Sequence, residues 1–583
     1  MKRHILPLIF LIIATYWTIK PLFAQGYFTM HDDTQVARVY EMWVALRDGM
    51  LPVRLVPDLG YGYGYPIFNF YAPLAYYIGA FFMFIGFNAL SATKIMMTIG
   101  VLLSGVFMYL LAREFWGEIG GVISSLFYVF APYHAVQIYI RGDVAEFWAY
   151  AFIPLLFLGI YKIFRCSIAS IESKTFQNSK LKTQSSKLQL KTKNEIWIWV
   201  LVAGIGYAAI ILSHNLTAMM VTPFLIVAIL LNCYIAIKNK KPYAISYMLY
   251  ALIFGLLLSA FYWFPAILEM QYTNVVSQIE GGADFRNHFV CFEQLWDSHW
   301  GFGGSAPGCI DGLSFKIGKL HILLTVLTIG LSIYLKLFRK KNIGSSGIIW
   351  FAVAGLSISA ILMLEISRSV WESVYFMAYF QYPWRFLLLT SFFTSILSGG
   401  LWINLKEKKA VTFGVIIIFI LLVFNVKLFS PQTILPNDSS VYTSRQALFW
   451  TASKISDEYM PKGFEKTKTP EDVIYEKIVI IAGTGKVIDL VEKTQKITFS
   501  VDALTDVNVL LRIAPFPAWE VTVDGGGIKA WNKNNGIEFS LPHGKHTVSV
   551  EYKATTVEEF GNLLSLIGIS LLVVGIINAK RKE

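Results

Sequence analysis

The sequence predicts a mainly α, polytopic membrane protein of about twelve crossing helices, with an extracytoplasmic β-sandwich near its C-terminus. Three observations predict it. Of 583 residues, 55% are hydrophobic and only 15% charged, more apolar surface than a soluble core hides. Lysines gather in short segments between long apolar runs. Beyond residue 430 the pattern changes to the alternation of β-strands. The formal charge of +12 therefore reads as topology, not as a nucleic-acid surface, because the lysines flank spans. Four cysteines without CxxC spacing give no zinc or thioredoxin pattern.

The first element is ILPLIFLIIATYWTIKPLFA after MKRH. It is longer than a signal-peptide core, and further spans follow, so it reads as an uncleaved helix. The next run, YAPLAYYIGAFFMFIGF (Tyr71 to Phe87), is decided by charge. If it crossed, the lysine-rich 162–193 segment, KNKK at 238–241 and RKK at 339–341 would all lie outside. If it lies along the membrane, these segments, KEKK at 406–409 and the terminal KRKE all fall inside. The second reading gives spans at 5–24, 92–113, 119–139, 146–164, 196–213, 216–236, 244–266, 319–338, 346–365, 384–404, 410–429 and 560–578. Both termini are then cytoplasmic, in a plasma-membrane protein.

The division is a transmembrane domain over 1–429, a β-sandwich over 430–558, and a final helix and tail over 559–583. Within the first, 25–91 is an external loop with juxtamembrane helices, 267–318 is a second external loop, and 165–195 is a Lys-, Ser- and Gln-rich cytoplasmic loop of disordered composition. Cys291 and Cys309 share the second loop; an oxidising exterior permits a disulfide there, and two free thiols are the other reading. The third external piece carries NVLLRIA, WEVTVDG and KHTVSVEYK, with turns at Asp524-Gly525 and His543-Gly544. GTGK at 483–486 is no phosphate loop, since Ile480 stands where that motif needs glycine.

Span centres are almost free of ionisable residues, unlike the midplane sites of pumps and transporters. The charges collect at the outer span ends: Lys20, Lys94, His214, Glu269, Lys319, His321, Glu365, Arg385 and Lys427. Some snorkel; the remaining basic groups call for an anion at headgroup depth, such as a lipid phosphate.

FTMHDDTQVARVYEMW (28–43) follows the first span. Val36, Val39, Tyr40, Trp43 and Leu46 form a helical stripe, so the helix lies on the membrane with Arg38, Glu41 and Asp48 towards water. Asp33 before Thr34 suits an N-cap. One cap needs one carboxylate, which leaves Asp32 and His31 for chemistry. IYIRGDVAEFW (138–148) adds Arg141, Asp143 and Glu146 on the same side. Asp143 and Glu146 share a helical face; they serve either the helix dipole or, with Asp32, a hard divalent cation such as Mg²⁺ or Mn²⁺. His214, in Ser213-His214-Asn215, is an interfacial hydrogen-bonder or part of the site. FQYPWRFL places Arg385 as a bidentate phosphate clamp or a belt residue. In DLGYGYGYP, Tyr63 and Tyr65 belong to a turn or stack against a sugar or polyprenyl chain.

HDDTQVARVYE, GYGYPIFNFYAPLAYYIG, YIRGDVAEFWA, LSHNLTA, FYWFPAILE and FQYPWRFL together resemble the membrane proteins called 6-pyruvoyl-tetrahydropterin synthase-related. FPAWEVTVDG and LPHGKHTVSVEY resemble the end of YfhO-type proteins. The soluble enzyme 6-pyruvoyl-tetrahydropterin synthase, from which the first label derives, binds zinc through a histidine cluster that has no counterpart in this sequence. The architecture is similar to GT-C glycosyltransferases, whose first external loop carries juxtamembrane helices and an acidic motif, and whose next external loop carries another. The resemblance implies Asp32 as base or metal ligand, with Asp143 or Glu146 in the second motif. Where the resembled proteins often have a further histidine, this chain has Val36, Ala37 and Arg38.

The expected reaction takes a sugar from a polyprenyl-phosphate donor, since nucleotide sugars and ATP are scarce outside the membrane. The acceptor is a glycan or envelope polymer. Asp32, supported by His31, serves as base; a divalent metal, or Arg385, Arg141 and His214, meets the leaving phosphate. Direct displacement inverts the anomeric carbon, and the β domain binds an acceptor or partner. The rival functions are a lipid-linked glycan flippase or transporter and a non-catalytic scaffold in envelope assembly.

Overall fold

The computed structural model describes residues 2–169, 182–275, 279, 281–338, 346–473, 475–528, 530–533 and 535–580. Among them, eleven helices are long and apolar enough to cross a membrane. They begin with α1 (Lys2–Ile19), which runs toward the end of the bundle that carries the large loops. Two helices of the first loop follow: α2 (Gln35–Arg47) and α3 (Leu74–Phe84). At 11 residues, α3 spans only about 16 Å. It cannot cross, and it packs against α2 and the next helix. The segment excluded by charge is thus a short helix lying beside the bundle.

That next helix, α4 (Ala89–Val129), counts 41 residues and would reach about 60 Å if straight. It folds back at Gly117, where φ is 73° and ψ −175°, a conformation open to glycine. Ser125 Oγ then donates to the Gly105 carbonyl at 2.6 Å, so the two arms run antiparallel.

The bundle continues through α5 (Val144–Ala169), α6 (Lys182–Ser213), α7 (Asn215–Lys238) and α8 (Tyr243–Leu268). It then adds α9 (Lys319–Phe338), α10 (Ser346–Met363), α11 (Leu387–Ser398) and α12 (Glu407–Asn425), and closes with α13 (Thr556–Lys580). Of the cytoplasmic loop expected at 165–195, residues 170–181 lie outside the described residues. The rest is helical, because KTQSSKLQLKTK holds no glycine or proline and extends α6. Helix α13 docks on α8 through small residues: a Cβ on Gly561 would sit 2.9 Å from the Ala260 carbonyl oxygen, and one on Gly568 2.9 Å from Leu258 N. Ser565 Oγ donates to the Leu257 carbonyl at 3.0 Å.

The C-terminal unit is a sandwich of two antiparallel sheets. The first, in the order β3-β6-β10-β9, uses β3 (Ile478–Ala482), β6 (Val507–Leu511), β9 (Trp531–Lys533) and β10 (Gly536–Leu541). The second, β4-β5-β11-β7-β8, uses β4 (Gly485–Lys493), β5 (Lys496–Ala503), β7 (Trp519–Val523), β8 (Gly526–Gly527) and β11 (Gly544–Tyr552). Alternate residues of both sheets, among them Phe499, Val501, Val509, Phe539 and Val548, meet in one core.

The sandwich sits on the first loop. Asp48 accepts from Thr494 N–H at 2.7 Å and Thr494 Oγ1 at 2.8 Å, and Ala514 N–H donates to the Tyr63 carbonyl at 2.8 Å. A two-stranded ribbon, β1 (Tyr27–Phe28) with β2 (Ile434–Leu435), binds the loop to the segment leaving α12. Arg54 joins Asn69 (2.9 Å), the Phe261 carbonyl (2.5 Å) and Asn562 (2.8 Å). Asn69 donates to Glu269 at 2.6 Å, and Thr555 also donates to Glu269. Loop one, α8 and α13 are thereby fixed together. Cys291 and Cys309 are disulfide-bonded, with Cα atoms 5.6 Å apart.

Candidate active site

Two loops are spliced by their backbones. His31 N–H donates to the Ile140 carbonyl at 3.0 Å, and Asp32 N–H to the Arg141 carbonyl at 2.9 Å. Gln35 Nε2 bridges the Gly142 carbonyl (2.9 Å) and the Asp32 carbonyl (3.1 Å). Gly142 has φ 64°, and a Cβ there would lie 2.1 Å from Met30 Sδ. Only glycine serves where the strands approach so closely. Asp143 follows and caps α5, its Oδ1 accepting Glu146 N–H at 3.0 Å.

The splice opens into a cavity of about 1130 Å³ at the loop-bearing end of the bundle. His31, Asp32, Arg38, Arg141, Asp143, His214 and Arg385 all line it, so residues up to 354 positions apart in sequence face one space. Its apolar flank comes from Leu216, Met219 and Pro223 of α7 and Leu256, Trp263 and Ile267 of α8. Met219, Leu256 and Ile267 are solvent-exposed.

Charge within the cavity is unevenly spent. Arg141 donates to Asp143 Oδ2 at 2.5 Å, Glu146 Oε2 at 2.7 Å and Tyr133 OH at 3.0 Å, and its guanidinium lies 4.8 Å from the Trp384 ring centre. It is committed to carboxylates and is not a free phosphate ligand. Glu146 accepts further bonds from Tyr133 (2.6 Å) and Gln137 (2.9 Å) and does not line the cavity. The three-carboxylate metal set is corrected accordingly: Glu146 faces inward, and among the described residues no group of three or more His, Cys, Asp or Glu could hold an ion. Asp32 and Asp143 are the two carboxylates of the expected set that face the cavity.

Asp32 is half-buried. Burial pushes its carboxyl up to about 6, and the Asp143 charge adds to the push against the pull of Arg141, Arg38 and Arg385. Burial would raise Asp143 as well, but Arg141 and Arg385 hold it below the usual carboxylate range. The two carboxyls are thus driven in opposite directions, Asp143 toward its charged form and Asp32 toward its protonated one. His31 Nε2 donates to the Phe302 carbonyl at 2.9 Å, which ties the disulfide-closed loop to the site. His214 Nδ1 accepts Thr217 N–H at 3.3 Å, so its Nε2 carries the proton. Burial lowers its pKa to about 4, which keeps it a neutral donor.

Arg385 is 7% exposed. Its Nε lies 3.9 Å from Glu146 Oε2, but Nε and Nη1 are buried without a hydrogen-bond partner. Most other charges at this end of the bundle have partners: Lys94 the Ala24 carbonyl (2.7 Å), His321 the Phe127 carbonyl (2.8 Å), Lys319 the Asp297 carboxylate (3.0 Å) and Glu365 the Arg368 guanidinium (2.5 Å).

Three expectations are corrected here. Arg38 and Glu41 do not face water; they are 4% and 0% exposed, Arg38 because the segment after α12 closes over it and Glu41 because loop one turns back on it, Glu41 Oε2 accepting Asp58 N–H at 2.9 Å. Arg38 donates to Ser456 Oγ at 2.8 Å and sits 4.2 Å from the Tyr71 ring centre. Asp33 is no cap: Thr34 holds the cap position without a side-chain bond, and Asp33 Oδ1 is buried without a partner. Tyr63 and Tyr65 do not reach the cavity. Tyr63 packs edge-on against Phe464 at 5.1 Å, and Tyr65 OH accepts Tyr459 N–H at 3.1 Å; they join loop one to the segment beyond α12. That segment brings in Ser456, Glu458 and Tyr459, which the sequence reading missed. DEYM at 457–460 carries no spacing that links it to a site more than 400 residues earlier.

No protein-family model matches the chain. An uncharacterized protein of Lactococcus lactis subsp. cremoris (strain MG1363) is 24% identical over 306 residues, which cover 49% of this chain and 44% of that protein. The match thus spans less than half of that relative. Among solved structures, the Archaeoglobus fulgidus oligosaccharyltransferase AglB in complex with an inhibitory peptide and a dolichol-phosphate aligns at 12% identity with a TM-score of 0.45, over 80% of this chain and 61% of that one. ArnT from Cupriavidus metallidurans bound to undecaprenyl phosphate aligns at 9% identity with a TM-score of 0.36, over 77% and 76%. At such scores the likeness decides neither fold nor function.

Proposed function

We propose that the chain is a membrane glycosyltransferase of the GT-C type, transferring a sugar from a polyprenyl-phosphate donor to a glycan or envelope-polymer acceptor outside the cytoplasm. The observation that carries this reading is the cavity shared by Asp32, Asp143 and Arg385, whose Nε and Nη1 are buried without a hydrogen-bond partner. Its apolar flank between α7 and α8 suits a polyprenyl tail. The lysine-rich segments at the opposite end of the bundle support placing the cavity outside, and the Cys291–Cys309 bond agrees. The motif resemblance to 6-pyruvoyl-tetrahydropterin synthase-related and YfhO-type proteins points the same way.

The chemistry follows from the groups present. An acceptor hydroxyl attacks the anomeric carbon while Asp32 takes its proton; a carboxylate titrating near 6 is well matched to that task. The bond from the anomeric carbon to the phosphate oxygen breaks, and the electron pair leaves with the phosphate. Arg385 N–H groups and His214 Nε2–H stabilise that charge. One displacement inverts the anomeric carbon. A divalent ion, were one bound, would have Asp32 and Asp143 as its carboxylates and would add charge stabilisation for the phosphate.

Asp32→Asn protein in proteoliposomes, supplied with polyprenyl-phosphate sugars, tests the reading. Lost transfer with retained undecaprenyl phosphate binding is expected. Unchanged transfer removes Asp32 from the mechanism, and lipid-linked glycan transport by the wild type without transfer replaces the transferase with a flippase.

A further inference from the structure

The segment between α12 and the sandwich sends Ile455, Ser456, Glu458 and Tyr459 into the cavity, whereas no described residue of the sandwich strands lines it. These side chains meet Arg38 of α2. Ser456 Oγ accepts Arg38 Nη2–H at 2.8 Å and stands 3.1 to 3.2 Å from the two Glu458 oxygens, to one of which it donates. A carboxylate offers about four lone-pair positions, and this hydroxyl and the residue's own backbone N–H fill two. Arg38, 4% exposed, keeps its Nε buried without a hydrogen-bond partner.

Aromatic faces frame the pair. The Arg38 guanidinium lies over Tyr71 at 4.2 Å, and Tyr459 stacks on Phe70 at 5.6 Å and 19°; all three rings line the cavity. Each simple ligand class except one is disfavoured here. An anion meets Glu458, a cation meets Arg38, and an apolar chain would strand both charged groups without water. A neutral polyol fits: its hydroxyls donate to Glu458, accept from Arg38, and its C–H faces pack on the rings.

We infer that Glu458, Ser456 and Arg38 form a hydroxyl-binding subsite for a neutral sugar, the acceptor of the transfer. This rests on the transferase reading above for the word acceptor, and on the cluster's own geometry for the word sugar. The β-sandwich then positions the arm that grips the acceptor and does not itself hold it. Glu458 binds and positions; Asp32 remains the base. The two groups are joined through Gln35, which donates to the Asp32 carbonyl and accepts from Tyr76 OH (2.6 Å), beside Arg38 Nη1 (3.4 Å from Tyr76 OH).

The test uses the full chain in nanodiscs, a panel of neutral methyl glycosides read by saturation-transfer NMR, and undecaprenyl phosphate read by native mass spectrometry. At least one glycoside should bind the wild type. Glu458→Gln should weaken its Kd tenfold or more, and Ser456→Ala severalfold, with undecaprenyl phosphate binding unchanged and a cooperative thermal transition retained. Asp32→Asn should keep the glycoside. Wild-type protein that binds no glycoside, or Glu458→Gln and Ser456→Ala proteins that both bind within twofold of it, overturns the subsite. Glu458-dependent glycoside binding without undecaprenyl phosphate binding upholds the subsite and removes the lipid-phosphate donor instead.

Discussion

Replacing Asp32 by Asn should abolish transfer and stabilise the fold at the same time. The carboxyl moves from its ordinary 3.8 to about 6 in the folded protein. Between those values the folded state holds a proton that the unfolded chain has released. Stability therefore falls as pH rises through that window, and the loss persists above it. About two pH units correspond to about 3 kcal/mol at neutral pH, an upper figure because Asp32 is only half-buried. Asn carries no charge to desolvate and escapes the loss. The thermal midpoint of Asp32→Asn should exceed that of the wild type by a few degrees at pH 7.5, and the two should converge near pH 4. Fluorescence melts in detergent at pH 4, 5, 6 and 7.5 read this directly. A variant less stable than wild type at pH 7.5, or a difference that ignores pH, refutes the claim that an unneutralised Asp32 carboxylate strains the cavity. Repeating the pH 7.5 melt with Mg²⁺ or Mn²⁺ adds a second reading: an ion held by Asp32 and Asp143 would raise the wild-type midpoint and leave Asp32→Asn behind.

Other perturbations reach the remaining parts of the site. Transfer kcat/KM should rise about tenfold per pH unit below pH 6 and level off above it, as Asp32 ionises; a profile flat from pH 5 to 7 contradicts its role as base. Arg385→Ala should weaken undecaprenyl phosphate binding by about ten- to a hundredfold, the worth of one charged hydrogen-bonding group, and Arg385→Lys should recover part of it; native mass spectrometry measures both. Gly142→Ala forces a left-handed alanine and a clash with Met30, at a cost of about 2 to 5 kcal/mol. Met30→Ala in the same protein should relieve the clash but not the backbone term, leaving a midpoint between those of wild type and Gly142→Ala. Tyr63→Phe, which touches Phe464 and not the cavity, should leave turnover within twofold.

The bundle was readable because hydropathy and lysine placement are local signals. Charge asymmetry alone distinguished the short helix Leu74–Phe84 from a crossing span, and alternation alone marked the strands of the sandwich core. Spacing did not reveal which way α2 would turn. Its helical stripe was read as one buried face, but a segment more than 400 residues away buries Arg38 on the opposite face, and Glu41 is buried where its carboxylate accepts Asp58 N–H. A surface helix becomes an interior one when a distant segment closes over it, and no window on the sequence contains both partners. Glu146 illustrates the same limit at short range: its spacing from Asp143 allowed one face, but Arg141 draws Glu146 inward and leaves Asp143 on the cavity. Glu458 stands in a stretch with no periodicity at all, and only the fold brings it to Arg38.

The two bonds that join His31–Asp32 to Ile140–Arg141 run between peptide groups. Such a joint is blind to what the side chains at those positions are. Within this architecture the acid at position 32 and the imidazole beside it can be exchanged for other functional groups while the frame that presents them holds its shape. The same scaffold is thereby able to host new donors or acceptors through a handful of point changes, whereas any side chain at Gly142 meets Met30.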